Sequence, residues 1–264
     1  METETILSFA LIALGAFMAG GMNALAGGGT FFSFPALLAA GVPPVMANAT
    51  NSVALWPASV LSAWGYRREL RRHGKWVLVL ALVSSLGGLT GGLLLLATSN
   101  AAFSKLIPWL LLVATLLFAF SSQVSRWIAA AKAWLGADVD KDRQPGSLGG
   151  ALFQFVVATY GGFFGAGLGI LTLAALAIQG FKDMQELNAL KNLSSSVNYT
   201  VAAFTFIIAG AISWPHTLVM LGAALAGGRA GTALARRLPA LWLKRVVIAV
   251  GSTLTVVYFL KTAA

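Results

Sequence analysis

The chain carries apolar runs of membrane-crossing length at about 6–26, 45–65, 76–98, 105–121, 148–164, 188–210, 214–235 and 244–261. A helix needs about 20 such residues to cross a hydrocarbon core about 30 Å thick. Of the 264 residues, 58% are hydrophobic and 10% charged, where a soluble domain has about 45–50% and about 25%. A single soluble core stops growing at roughly 250 residues, so the apolar excess must face something other than water. The fold class this implies is an all-α membrane protein in contact with the lipid bilayer. Disorder, a disulfide-stapled secreted scaffold and a soluble nucleic-acid binder are excluded.

Two shorter apolar pieces, about 29–40 and 167–180, each follow a glycine cluster. At about 1.5 Å of rise per residue they reach only about 20 Å, so they are expected as half-helices of re-entrant hairpins. Lysine and arginine orient the rest. Arg67, Arg68, Arg71, Arg72 and Lys75 form the densest cluster. Arg236, Arg237, Lys244 and Arg245 form another, and the polar segment 122–147 carries Arg126, Lys132, Lys141 and Arg143. All three are expected on the cytoplasmic side of a cell (inner) membrane, which accounts for most of the net charge of +10. The nearly neutral segments 99–104 and 210–216 then face outward, as do both chain ends. An acidic Met1-Glu2-Thr3-Glu4 start does not read as a cleaved signal peptide.

The two halves repeat. Gly27 to Gly41 aligns with Ala166 to Gly180, Ala49-Thr50-Asn51 with Leu190-Lys191-Asn192, and Gly87 to Gly92 with Gly227 to Thr232. The basic loop precedes the paired-glycine segment in the first half and follows it in the second. Equivalent loops thus carry opposite orientation signals, so the repeats are expected to be inverted. The organisation expected is a first transmembrane repeat over 1–121, a cytoplasmic linker over 122–147 and a second repeat over 148–264. Each repeat has about four long helices and a short broken one. Inverted repeats with broken helices near the midplane are a transporter architecture.

The motifs Gly27-Gly28-Gly29-Thr30, Pro35, Gly41 and Ala49-Thr50-Asn51-Ser52 resemble the first-half signature of the TauE/SafE sulfite exporter family. Tyr160 to Gly169 and Asn188 to Ser194 resemble its second-half counterpart, and the resemblance covers about residues 10–260. It implies a small-anion permease for sulfite or related organosulfur or carboxylate anions. The second motif departs from the commoner pattern, in which a threonine often sits near the position of Leu168.

Physical chemistry points to the same residues. Glycine permits positive φ and close backbone approach, and a half-helix starting after such a break aims N–H groups and a positive dipole end at an anion. The candidate substrate-binding residues are Gly27, Gly28, Gly29 and Thr30 at the first break and Gly165, Gly167 and Gly169 at the second. Thr50, Asn51 and Ser52 early in one span join them, with Lys191, Asn192 and Ser195 early in its repeat mate. Lys191 leads, because an ammonium inside a span is costly and a strong point charge for an oxyanion; the alternative is snorkelling to the interface. Arg229 is a weaker candidate with the same alternative. For Gly87, Gly88, Gly91, Gly92, Gly227, Gly228 and Gly231, close helix packing is the favoured reading.

No metal or cofactor is expected. Zero cysteines and two isolated histidines, His73 and His216, provide no ligand set, and no phosphate loop of the Gly-x-x-x-x-Gly-Lys-Ser/Thr type occurs. All eight acidic residues lie outside the full spans, which disfavours a carboxylate proton relay. An enzyme is not expected, because the spans lack Asp, Glu and Cys. The partners expected are a small anionic substrate and lipid, without nucleic acid; a homo-oligomer stays open. A passive anion channel or a carboxylate permease of the same fold is the alternative to a sulfite or organosulfur carrier.

Overall fold

A computed structural model describes residues 2–25, 28–121, 123, 130, 148–179, 181, 183–235 and 240–263. Among them the elements are helical throughout: α1 (Glu2–Leu25), α2 (Thr30–Ala39), α3 (Pro44–Gly65), α4 (Arg67–Leu70), a 3-10 turn (Arg71–His73), α5 (Gly74–Ala97), α6 (Asn100–Ala119), α7 (Leu148–Phe163), α8 (Leu168–Ile178), α9 (Met184–Ile208), α10 (Trp214–Ala235) and α11 (Ala240–Ala263). The linker expected over 122–147 lies outside the described residues, apart from Gln123 and Ala130.

Among the described residues, four helical stretches are long and apolar enough to cross a membrane: Ile6–Asn23, Arg67–Ala97, Asn100–Ala119 and Lys244–Thr262. The runs at 45–65, 188–210 and 214–235 fold as helices of 22, 25 and 22 residues, and α7 is shorter at 16. The pieces expected at 29–40 and 167–180 fold as helices of 10 and 11 residues.

Helix α5 shows how composition divides between two faces. Leu78, Leu82, Leu86, Leu89 and Leu93 recur every three or four residues and are exposed; such a face suits lipid, not water. Its opposite face is Ser84, Gly87, Gly88, Gly91 and Gly92, all buried. A Cβ on Gly87 would collide with Ala158 of α7, and one on Gly91 with the Thr159 carbonyl. The α1–α10 pair closes the same way: a Cβ on Gly20 would meet the Ala224 carbonyl, and one on Gly227 the Phe17 carbonyl. These glycines bring backbones together in the absence of a hydrophobic drive between helices. Gly91→Val is therefore expected to lower stability by about 1–3 kcal/mol or more through overpacking. Thermal unfolding in detergent checks this; an unchanged midpoint would contradict so tight a contact.

The packing is reciprocal between halves. α1 packs on α10 as α5 packs on α7, α3 touches α10 as α9 touches α5, and α2 rests on α1 and α3 as α8 rests on α7 and α9. α3 meets α9, and α6 meets α11. Exchanging the halves leaves this set of neighbours unchanged.

The chain ends of the helices sort into two sets. Beside the basic turn after α3, His73 pairs with Glu186 of α9 at 3.2 Å. Asp183 caps α9 there, accepting from the Gln185 and Glu186 amides at 2.9 Å each. At the opposite end the Val45 amide donates to Asn100 Oδ1 at 3.0 Å, and the Ser213 amide to Thr50 Oγ1 at 3.0 Å. The first set holds Arg67, Arg68, Arg71, Arg72 and Lys75, all exposed; the second is nearly neutral.

Candidate anion-binding site

Each half-helix starts at a glycine with backbone that L side chains rarely adopt. Gly28 has φ +84° before α2; Gly165 and Gly167 have φ +81° and +82° before α8. The breaks are held by side chains. Asn23 Oδ1 accepts the Gly29 amide at 2.8 Å, and the Tyr160 hydroxyl donates to the Ala166 carbonyl at 2.7 Å.

The two breaks border one cavity of about 440 Å³. Gly28 and Thr30 line it from the first break, and Gly165, Gly167 and Gly169 from the second. Lys191, Asn192 and Ser195 reach it from α9, and Arg229 from α10. Among the described lining residues there are thus two cations and no carboxylate. The Lys191 stem lies along the first turn of α8, where a Cβ on Gly169 would sit 3.5 Å from Lys191 Cδ. Lys191 is half-buried, and among the described residues its ammonium has neither an ion-pair nor a hydrogen-bond partner. Arg229 is exposed.

Not every candidate reaches the cavity. Gly27 lies outside the described residues. Gly29 is buried under α1, where a Cβ would collide with the Ala19 carbonyl. Thr50, Asn51 and Ser52 are buried in the other half of α3. Thr50 holds Ser213; Asn51 Oδ1 accepts from Ser33 Oγ of α2; Ser52 Oγ donates to its own Asn48 carbonyl at 2.9 Å. Thr50 and Asn51 fasten neighbouring elements together, Ser52 bonds within α3, and none of the three lines the cavity. In their place the lining has Asn23, Ser59, Ser62 and Tyr199. Tyr199 and Ser195 follow Lys191 at eight and four residues, one face of a helix, a signal present in the sequence.

The cavity is one-sided. Its α3 lining runs from Leu55 to Ser62, its α9 lining from Lys191 to Tyr199 and its α10 lining from Ala224 to Arg229. In α3 and α10 this is the half toward the basic turn, and in α9 it runs from that half to just past the middle. On the neutral side the space is filled. Phe34 of α2 packs edge-on to Phe103 of α6 and Phe164 after α7, with ring centres 6.4 and 5.6 Å apart. All three are at most 1% exposed. Phe103 also meets Phe163 at 5.6 Å.

Comparison with known proteins decides the family. The family described as Sulfite exporter TauE/SafE matches residues 12–258. The chain belongs to the TauE/SafE family. Its relatives include a "Probable membrane transporter protein" of Haemophilus influenzae, 29% identical over 81% of this chain and 80% of the relative. "Probable membrane transporter protein ORF9" of Sinorhizobium sp is 27% identical over 95% and 91%. "Probable membrane transporter protein YfcA" of Escherichia coli K12 is 27% identical over 83% and 77%. No solved structure matches the chain significantly. The TauE/SafE match and these relatives make the chain a membrane protein of a transporter family; the names point to transport and not to an enzyme.

Proposed function

We propose that this TauE/SafE protein carries small oxyanions, sulfite or a related organosulfur anion foremost, across the cell membrane by alternating access. The observation that carries this reading is the one-sided cavity at two glycine breaks, furnished with Lys191 and Arg229 and no described carboxylate. An anion seated there meets the backbone N–H groups and positive dipole ends at the starts of α2 and α8, with Lys191 supplying a full charge. The two halves act as inverted repeats, a reading favoured by the reciprocal packing. The basic turn lies on the cytoplasmic side, α2 and α8 re-enter from opposite faces, and the cavity opens inward. Closure by Phe34, Phe103 and Phe164 favours a carrier over an open channel, because a channel needs a continuous path.

Purified protein in liposomes, tested across sulfite, sulfate, thiosulfate, sulfoacetate and simple carboxylates, checks the proposal. Saturable uptake of a sulfur oxyanion, accelerated by unlabelled anion on the far side, is the expected result. Non-saturable flux without trans-stimulation would favour the channel, and preference for acetate-like anions would favour a carboxylate permease.

A further inference from the structure

Helix α9 supplies more than Lys191. Tyr199 lies two turns further along the same face and lines the cavity floor where the two breaks come together. Thr30, the first residue of α2, lines the same cavity beside it. The Tyr199 hydroxyl oxygen stands 2.9 Å from where a Cβ on Gly165 would be. One phenol thus stands against the positive-φ turn that launches one half-helix, in the cavity that the first residue of the other also lines. The half-helices themselves extend from this point toward opposite ends of the molecule, α2 toward the neutral loops and α8 toward the basic turn.

We propose that Tyr199 is a positioning residue that, packed on Gly165 and hydrogen-bonding Thr30, holds the N-termini of α2 and α8 at one shared anion site. This rests on the reading of the cavity as the transport site. A dipole end acts on an anion only within about the first turn, so two half-helix starts reinforce each other only if their separation is fixed. α9 fixes it, as it spans the core as one unbroken helix and carries Lys191, Asn192, Ser195 and Tyr199 in a line. Gly165 is then small for a second reason besides its φ: a side chain there would displace the hydroxyl from Thr30.

The test uses the absence of native cysteine. Nitroxide labels at Ala39→Cys on α2 and Ala177→Cys on α8 report the half-helix separation by pulsed electron resonance. Tyr199→Phe and Thr30→Val each keep the side-chain outline and remove one hydroxyl. Each is expected to broaden a narrow distance distribution, with no further broadening when combined, while Thr30→Ser stays narrow. In liposomes, with sulfite as the probe, both are expected to raise the half-saturation concentration about tenfold, the worth of one hydrogen bond, while the maximal rate stays within about twofold. Unchanged distributions in both variants, a half-saturation concentration at the wild-type value, or a Thr30→Ser variant as broad as Thr30→Val would overturn the proposal. Wild-type protein that moves no anion at all would sink the transport reading instead, and the label distances would still decide the tie.

Discussion

Replacing Lys191 with alanine is expected to abolish anion transport while leaving a folded, monodisperse protein. The Lys191 stem lies along Gly169 on the cavity wall and its ammonium has no described counter-charge, so on the proposed reading the anion itself neutralises it. Removing one partner of such a desolvated charge pair costs about 2–5 kcal/mol, a loss of at least about thirtyfold in affinity. Folding should tolerate the change, since a half-buried cation without a described partner is a cost to the empty protein. Lys191→Arg is expected to recover only part of the activity, because a planar fork replaces a point charge on a narrower stem. Arg229→Ala should act differently. At an exposed position the guanidinium attracts anions through screened water, so its loss should weaken uptake mainly at low salt. Initial rates in liposomes at two ionic strengths separate the two roles. Wild-type rates for Lys191→Ala would remove Lys191 from the site.

The contrast between Lys191 and Thr50 shows how far the sequence is legible. A charge inside a span has few uses, so the place of Lys191 on a cavity wall is foreseeable without coordinates. A hydroxyl or amide in a span has two uses of similar weight, ligand binding and helix fastening, and nothing local separates them. Thr50, Asn51 and Ser52 therefore read as site residues, whereas in the structure they join α3 to α2, to Ser213 and to its own backbone. The half-helices α2 and α8 are legible because their lengths fall short of a bilayer and each follows glycine. Tyr199 was within reach through its i+4 and i+8 spacing from Ser195 and Lys191, but an aromatic at that spacing in a span usually packs against neighbours. The seal was out of reach. Phe34, Phe103 and Phe164 are far apart in sequence and meet only through the tertiary arrangement.

That seal carries the second large effect. Phe34→Ala is expected to open the cavity to the neutral side. Its ring is wholly buried between Phe103 and Phe164, and removing it leaves a ring-sized void directly above the glycine breaks. Deleting a buried phenylalanine costs about 3–5 kcal/mol, so Phe34→Leu is a gentler companion with the same direction of effect. The natural lack of cysteine allows a single reporter, Asn192→Cys, on the cavity wall. With Phe34 intact, a membrane-impermeant thiol reagent should label it from the face bearing Arg67 to Lys75 and only slowly from the other. With Phe34→Ala, labelling from the neutral face should rise at least about tenfold, equivalent to roughly 1.4 kcal/mol of lost closure. Phe34→Leu should fall between the two. On the proposed repeat relation, Phe34 falls opposite Leu173 of the second half, which lines the open cavity. A bulkier residue on the closed side and a smaller one on the open side is the arrangement expected of a gate caught in one state. Leu173→Phe should accordingly slow labelling from the basic face. If Phe34→Ala labels no faster than wild type from the neutral side, closure resides elsewhere in the bundle and these aromatics are packing alone.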